Sequence, residues 1–412
     1  VAKWKQKEQW EQCGFNLVLL MALFSCVSTA AMSVAIVLSA LCVLGQRCFC
    51  GQWPRIERQT VYVACAYLVL YFIVAALSIN PKESFHEYFG EAYRFFPFFF
   101  ATAYVRAEKQ VRDVLLGLAA SVFVNNCVAL WQFFLPFLQQ GQWVRVKGTI
   151  STINSYGNTL AMVMPLLVFG FLHSRASLRM KYFFAVTFLV SFVMMVICRT
   201  RSGWVAFLGT MLTAALLDAQ LRRYCVRILG GCACIFLLLS FFHASFLKND
   251  VVSIADMTSN RSNLERLYMW RGAMEIWKDY PIHGVGQDMY GAVYASEDSK
   301  YRLPQARPFG NPHSIFFQVL SEGGVIGLFA SAGLHLYFLF GLWKMHRKQK
   351  PLMVMSYGMA GILMATAIGI GGMFDAGMDH VGVARMYWLI MGTLFAGANI
   401  MSGKNTLGQS KL

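Results

Sequence analysis

From Gly14 to Gly45 the chain runs for 32 residues without a charged side chain, and comparable apolar runs recur to its end. A bilayer core takes about 20 helical residues per crossing. The run is therefore too long for one span and short for two, with Ser28 and Thr29 placed to turn between them. Lipid offers the backbone no hydrogen-bond partner, so only helical bundles and closed β-barrels can cross it. These runs are continuous and lack the short alternating segments of a barrel. The chain is thus expected to be an all-α polytopic integral membrane protein. Twelve transmembrane helices are expected, near 14–28, 31–46, 60–78, 89–105, 112–136, 155–173, 182–198, 202–218, 226–245, 313–343, 353–373 and 384–402. Hydrophobic residues make up 57% of the chain and charged ones 14%, against roughly 25% charged in soluble domains.

The formal charge of +16 reads mostly as a topology signal, because cytoplasmic loops are enriched in Lys and Arg. With both termini cytoplasmic, the clusters Arg106, Lys109, Arg112 and Arg222, Arg223, Arg227 and Lys344, Arg347, Lys348 all fall inside. No basic–aromatic module accompanies the charge, so it gives no support to nucleic-acid binding. The eleven cysteines lie in spans or on the inner side, which argues against disulfides. Cys48 and Cys50 stand too close together, and too far from other ligands, for a metal site. The Lys-rich start ahead of the first apolar helix reads as a retained first span.

The spans divide the chain into 1–247 (helices one to nine), one large outer loop over 248–312, and 313–412 (helices ten to twelve). Long ordered loops are often functional. Eight cations, from Lys248 to Arg307, match eight anions, from Asp250 to Asp298. An anion site in the loop must therefore use selected arginines, not a general field. An amphipathic helix is expected near 263–279, capped by Ser262 or Asn263 and ended before Pro281. At about 100° per residue, Leu267, Met269, Trp270, Ala273, Met274, Ile276 and Trp277 form an apolar arc enclosing Arg266. Arg271, Glu275 and Lys278 fall opposite, with Arg271 and Glu275 spaced as an i,i+4 surface pair. Arg266 is different. A guanidinium on a buried face calls for an anionic partner, or else packs its stem on tryptophan and reaches for water.

Arg199 and Arg201, in CRTRSGW, stand on an outer hairpin where basic residues are disfavoured. They are either interface anchors or a phosphate site, for which the rigid guanidinium fork is suited. Arg145 and Lys147 precede the sixth span on the same side. Asn154 and Asn158 follow, able to cap a helix or to bind sugar or phosphate. In NPHSIFF, Pro312 favours the first turn of a helix. His313 would then sit at the positive end of a helix dipole, which keeps the ring neutral and able to accept a proton. Gly323, Gly324 and Gly327 allow a bend or close packing.

His313 and Ser314, followed by Gly324 and Gly327, resemble the His-Ser…Gly-x-x-Gly motif of bacterial O-antigen ligases. ERLYMWRGAMEIWKDYPIHGVG resembles the loop signature of the wider O-antigen ligase and polymerase superfamily: Arg266 four residues before Trp270, then Pro281, Gly284 and Gly286. TRSGW is similar to the superfamily's span-head arginine, at Arg201, and KGTISTINSYGNTLA to its Gly-Thr…Asn…Ala segment, with a few extra residues. The resemblance implies a glycosyltransferase on the periplasmic face of the bacterial inner membrane. It would move an O-antigen glycan from undecaprenyl diphosphate to lipid A–core with no metal or other cofactor. Arg201 and Arg266 would hold the diphosphate, and His313 would be the base. Arg199, Arg145, Lys147, Asn158, Trp270 and Ser314 are further substrate contacts on this reading. Arg94 and Arg385 are weaker anion binders, and Asp288, Glu322, Asp375 and Asp379 are alternative bases.

Other readings stay open. An O-antigen polymerase uses the same donor twice, and a protein O-oligosaccharyltransferase passes the glycan to Ser or Thr. A transporter of the lipid-linked glycan belongs to another class and would carry charges near the midplane. The spans have almost none there, and the arginines gather at one surface, which favours an interfacial enzyme.

Overall fold

A computed structural model describes residues 2–54, 56–173, 176–242, 251–254, 256, 260–349 and 353–403, and no strand occurs among them. Lys248 and Asp250, counted in the loop's charge balance, lie outside the described residues. The helices are α1 (Ala2–Phe24), α2 (Thr29–Cys50), α3 (Arg58–Ala76), α4 (Pro81–Arg94), α5 (Phe96–Tyr104), α6 (Glu108–Gln140), α7 (Ile153–Leu172) and α8 (Leu178–Ile197). They continue with α9 (Arg201–Leu217), α10 (Ala219–Phe242), α11 (Arg261–Asp279), α12 (Tyr290–Tyr294), α13 (Ile315–Gln349), α14 (Tyr357–Gly372) and α15 (Val381–Met401). Eight of the described helices are long and apolar enough to cross a membrane: α2, α3, α6, α7, α8, α10, α13 and α15. Shorter α9 and α14 are also apolar. The expected fourth span needs correction. Residues 89–105 are not one helix but parts of α4 and α5, broken at Phe95. Pro97 stands in the first turn of α5, where its missing N–H goes unneeded.

α7 and α15 form the centre, with 83% and 89% of their most apolar windows buried, whereas α10 has only 11% buried and turns its side chains outward. Trp388 of α15 stacks on Phe95 with ring centroids 4.0 Å apart and meets Phe98 and Phe338 edge-on or tilted.

The turns at one end of the bundle gather on one face, which also carries the segment between α10 and α13. Thr149 Oγ1 donates to the Cys26 carbonyl, joining the α6–α7 connection to the α1–α2 turn. Ser78 Oγ donates to the Val285 carbonyl at 2.9 Å, and Arg145 Nε to the Cys198 carbonyl at 2.9 Å. This loop face is therefore pinned from several sides.

The tightest pin is a break in α13. Gly324 has φ 58° and ψ −151° and interrupts the helix. A break frees backbone groups that burial would penalise unless other partners are found. The PIHGVG turn supplies those partners. The Val325 and Ile326 N–H groups donate to the Pro281 and Ile282 carbonyls at 2.9 and 3.0 Å, while the Ser321 and Glu322 carbonyls accept from Val285 and Gly286 at 3.0 and 2.9 Å. The approach leaves no room for side chains. A Cβ on Gly324 would lie 2.5 Å from the Ile282 carbonyl oxygen, and one on Gly284 2.3 Å from Glu322.

α11 starts earlier than expected, because Asn260 is its cap and neither Ser262 nor Asn263 is; the Asn260 Oδ1 accepts from the Asn263 N–H at 3.3 Å. Met269, Ala273 and Ile276 pack with Val285, Tyr290 and Tyr294, as an apolar arc should, but Leu267 is exposed. Glu275 pairs with Lys278 at 2.8 Å, not with Arg271. The buried charge on this helix is Glu265, flanked by Arg261 and Arg307 and accepting the Arg307 N–H at 3.1 Å.

Candidate active site

Where the heads of α9 and α11 meet the α14–α15 turn, a cavity of about 490 Å³ is lined by Arg145, Arg199, Arg201 and Arg266, with Trp270 and Phe374. None of its described lining residues is acidic. Each arginine is held in place. Arg201 donates to the Ser253 carbonyl and Oγ at 2.9 and 2.8 Å. Arg266 Nε donates to the Phe374 carbonyl at 3.1 Å and its guanidinium to Ser262 Oγ at 3.2 Å. Arg199 adopts a left-handed backbone with φ 56°, rare for a side-chain-bearing residue, and its carbonyl accepts from Arg145 at 3.4 Å. Burial lowers the proton affinity of Arg266, nearby Arg201 lowers it further, and Asp375 opposes both. Two guanidinium groups close enough to repel favour an anion between them.

The cavity sits at the N-terminus of α9, where the helix dipole also favours negative charge. Thr200 does not cap that end, since its Oγ1 donates instead to the Ile153 carbonyl at 3.1 Å. Below Arg201, residues 205, 208, 212 and 216 fall on one helical face. Val205 lines the cavity, and Leu208, Leu212 and Leu216 are 56%, 59% and 70% exposed. An apolar track therefore runs from the cation cluster along the outside of α9.

His313 is not at a helix head. It precedes α13 by two residues in a left-handed conformation with φ 48°, so Pro312 does not occupy the first helical turn. The dipole argument for its ring falls with that position. Instead Asn311 Oδ1 accepts the His313 N–H at 3.1 Å, an Asx turn that stabilises the unusual backbone. The ring Nδ1 lies 3.2 Å from Asp375 Oδ1. A carboxylate there fixes the tautomer with Nδ1–H donating, which leaves Nε2 as the basic nitrogen. Asp375 is buried, and its Oδ2 accepts from Asn158 Nδ2 at 3.0 Å; the Asn158 Oδ1 accepts from Ser202 at 3.1 Å. α7 and α9 touch at this relay, for a Cβ on Gly203 would lie 2.9 Å from the Gly157 carbonyl oxygen.

His313 does not line the arginine cavity, but two links tie it there. Trp270, which does line it, donates Nε1–H to the Pro312 carbonyl at 3.1 Å and stacks on Phe317. Asp375 directly follows Phe374, the acceptor for Arg266.

The remaining candidates divide. Lys147 is exposed and donates to the Ser151 carbonyl, away from the cavity. Ser314 is buried, with an Oγ that finds no hydrogen-bond partner. Arg94 is occupied by Glu87 and Glu91, and Arg385, which donates to Ser33 and lies over the ring of Tyr93, does not line the arginine cavity. Glu322 Oε1 accepts the Tyr290 N–H at 3.1 Å, a structural role. Burial, and then the Glu91 carboxylate, pushes Asp379 up to about 8. The pairing of Asp375 with His313 escaped the sequence, although FDAGMDH (374–380) does pack two carboxylates and a histidine into one short turn on the right side. Ser253 and the Phe374 carbonyl carry no such signal.

Residues 186–332 match the family model described as O-antigen ligase. Over that stretch the chain is similar to the O-antigen ligase family. The matched stretch holds Arg199, Arg201, Arg266, Trp270 and His313, and the PIHGVG segment with its helix break. Arg145, Asn158 and Asp375, which complete the geometry, lie outside it. No curated protein matches the chain.

Proposed function

We propose that the protein is an O-antigen ligase of the bacterial inner membrane, with the loop face periplasmic and both termini cytoplasmic. It transfers a glycan from undecaprenyl diphosphate to lipid A–core without a metal. The observation that carries this reading is the cavity of four arginines with no acidic lining, next to the His313–Asp375 pair. Arg201 and Arg266 bind the donor's diphosphate and stabilise the charge that grows on it as it leaves. Arg145 and Arg199 complete the cradle. The prenyl tail lies in lipid along Leu208, Leu212 and Leu216.

The acceptor hydroxyl oxygen attacks the anomeric carbon from the side opposite the diphosphate. The new glycosidic bond forms as the bond to the diphosphate oxygen breaks, so the anomeric centre inverts. His313 Nε2 takes the hydroxyl proton, and Asp375 stabilises the imidazolium. Undecaprenyl diphosphate departs with the bonding electron pair.

Purified protein in nanodiscs, given lipid-linked glycan and lipid A–core in a chelator, tests this. Transfer to the core is expected. Lengthening of the lipid-linked glycan with no transfer to the core would make the protein a polymerase, and no transfer of any kind would remove the enzymatic reading.

A further inference from the structure

A second polar cavity opens on the loop face, of about 760 Å³, between the α1–α2 turn, residues 149–151 and the head of α15. Seven hydroxyl side chains line it, among them Ser25, Ser28, Thr149 and Ser151. Its lining also holds Arg385, Asp379 and His380. Two of its polar groups are buried without a partner: Thr159 Oγ1, on a residue 1% exposed, and Arg385 Nε, on a residue 7% exposed. Buried polar groups are normally satisfied, so each such orphan needs a cause. His380 is fixed by Ser151, 3.2 Å from its Nδ1.

This cavity differs from the arginine cradle in chemistry. Several hydroxyls and one guanidinium, beside an Asp379 carboxyl that burial pushes up to about 8, suit a polyhydroxylated ring that bears a single anionic group, not a diphosphate. It is also placed to serve the reaction. Thr159 adjoins Asn158, which holds Asp375, which holds His313.

The geometry assigns this cavity to the acceptor: it binds a sugar of the acceptor glycan carrying one phosphate or carboxylate, with Arg385 on the anion and Thr159 on a ring hydroxyl. The assignment rests on the transferase reading above, in which the acceptor hydroxyl attacks from the side opposite the diphosphate.

Steady-state transfer in nanodiscs tests it with three variants: Arg385→Gln, Thr159→Val, and Ala30→Trp, which crowds the cavity from an exposed lining position. Arg385→Gln and Ala30→Trp are expected to raise the acceptor KM on the order of tenfold, the size of one lost charge-assisted hydrogen bond. Thr159→Val should raise it less, and the donor KM should hold in all three. Wild-type protein should show a similar penalty for phosphatase-treated acceptor if the anion is phosphate, and for carboxyl-reduced acceptor if it is a carboxylate. Arg385→Gln should add nothing to whichever penalty appears. An unchanged acceptor KM in Ala30→Trp and Thr159→Val, or an Arg385→Gln penalty equal on native and both treated acceptors, overturns the assignment while leaving the ligase reading intact. If wild type transfers nothing, thermophoretic binding of lipid A–core to wild type and Ala30→Trp still decides: equal affinity overturns the site.

Discussion

At the scale of residues, the cradle and the base make separable predictions. Arg266→Ala and Arg201→Ala should each lower kcat by about 10²–10³-fold, the usual loss for one donor to a developing oxyanion. Arg266→Lys should recover little, because an ammonium cannot both reach the Phe374 carbonyl and present a planar fork. His313→Ala should cost on the order of 10²–10⁴-fold. Asp375→Asn should lower kcat far more than it moves the donor KM, since that carboxylate bonds to the ring and does not line the cavity. Steady-state transfer by the five purified variants measures each of these. Asp379 offers a pH test of stability. Folding raises its pKa to about 8, against roughly 3.9 when unfolded. The folded form then keeps a proton that the unfolded chain has lost, so stability should fall as pH rises from about 4 toward 8. Melting temperatures at pH 5 and pH 8 should show a smaller drop for Asp379→Asn than for wild type; equal drops would mean that Asp379 does not titrate in this window.

At the scale of elements, the junction of PIHGVG with α13 dominates. Gly324→Ala and Gly284→Ala place a Cβ against backbone at positive φ. Each should destabilise by roughly 1–3 kcal/mol from the backbone alone, read as a lower melting temperature and less monodisperse protein on size exclusion. The same junction marks what sequence reading reaches. The glycines were visible and allowed a bend or close packing, but their partner segment was not, because nothing local says which carbonyls will meet the freed amides. The split of 89–105 into α4 and α5 was hidden for a related reason: apolar composition reports burial, not continuity. His313 shows the limit most sharply. Asn-Pro-His-Ser reads as a helix start, yet Asn311 and Asp375 hold the histidine outside the helix. One of these is an Asx turn readable in principle, and the other a contact 62 residues away. Arg266 was easier to single out, since helical periodicity alone set it apart from Arg271.

At the scale of the whole molecule, the arrangement predicts sidedness. Cys48 is exposed near the end of α2 remote from the loop face. A membrane-impermeant maleimide should label it in inverted vesicles and spare the native protein in right-side-out ones. Glu297→Cys, on the exposed loop surface, should be labelled in right-side-out vesicles; the reverse pattern would put the arginine cavity in the cytoplasm. The interruption at Gly324 also has a mechanical meaning. Ser321 and Glu322 before the break and Val325 and Ile326 after it all bond to the strap at 281–286, so the strap staples the two halves of the helix together across the interruption. Hydrogen exchange should therefore group the amides of residues 285, 286, 325 and 326 as one unit. The half that leads to His313 is thereby coupled to the lipid-embedded half of the same helix.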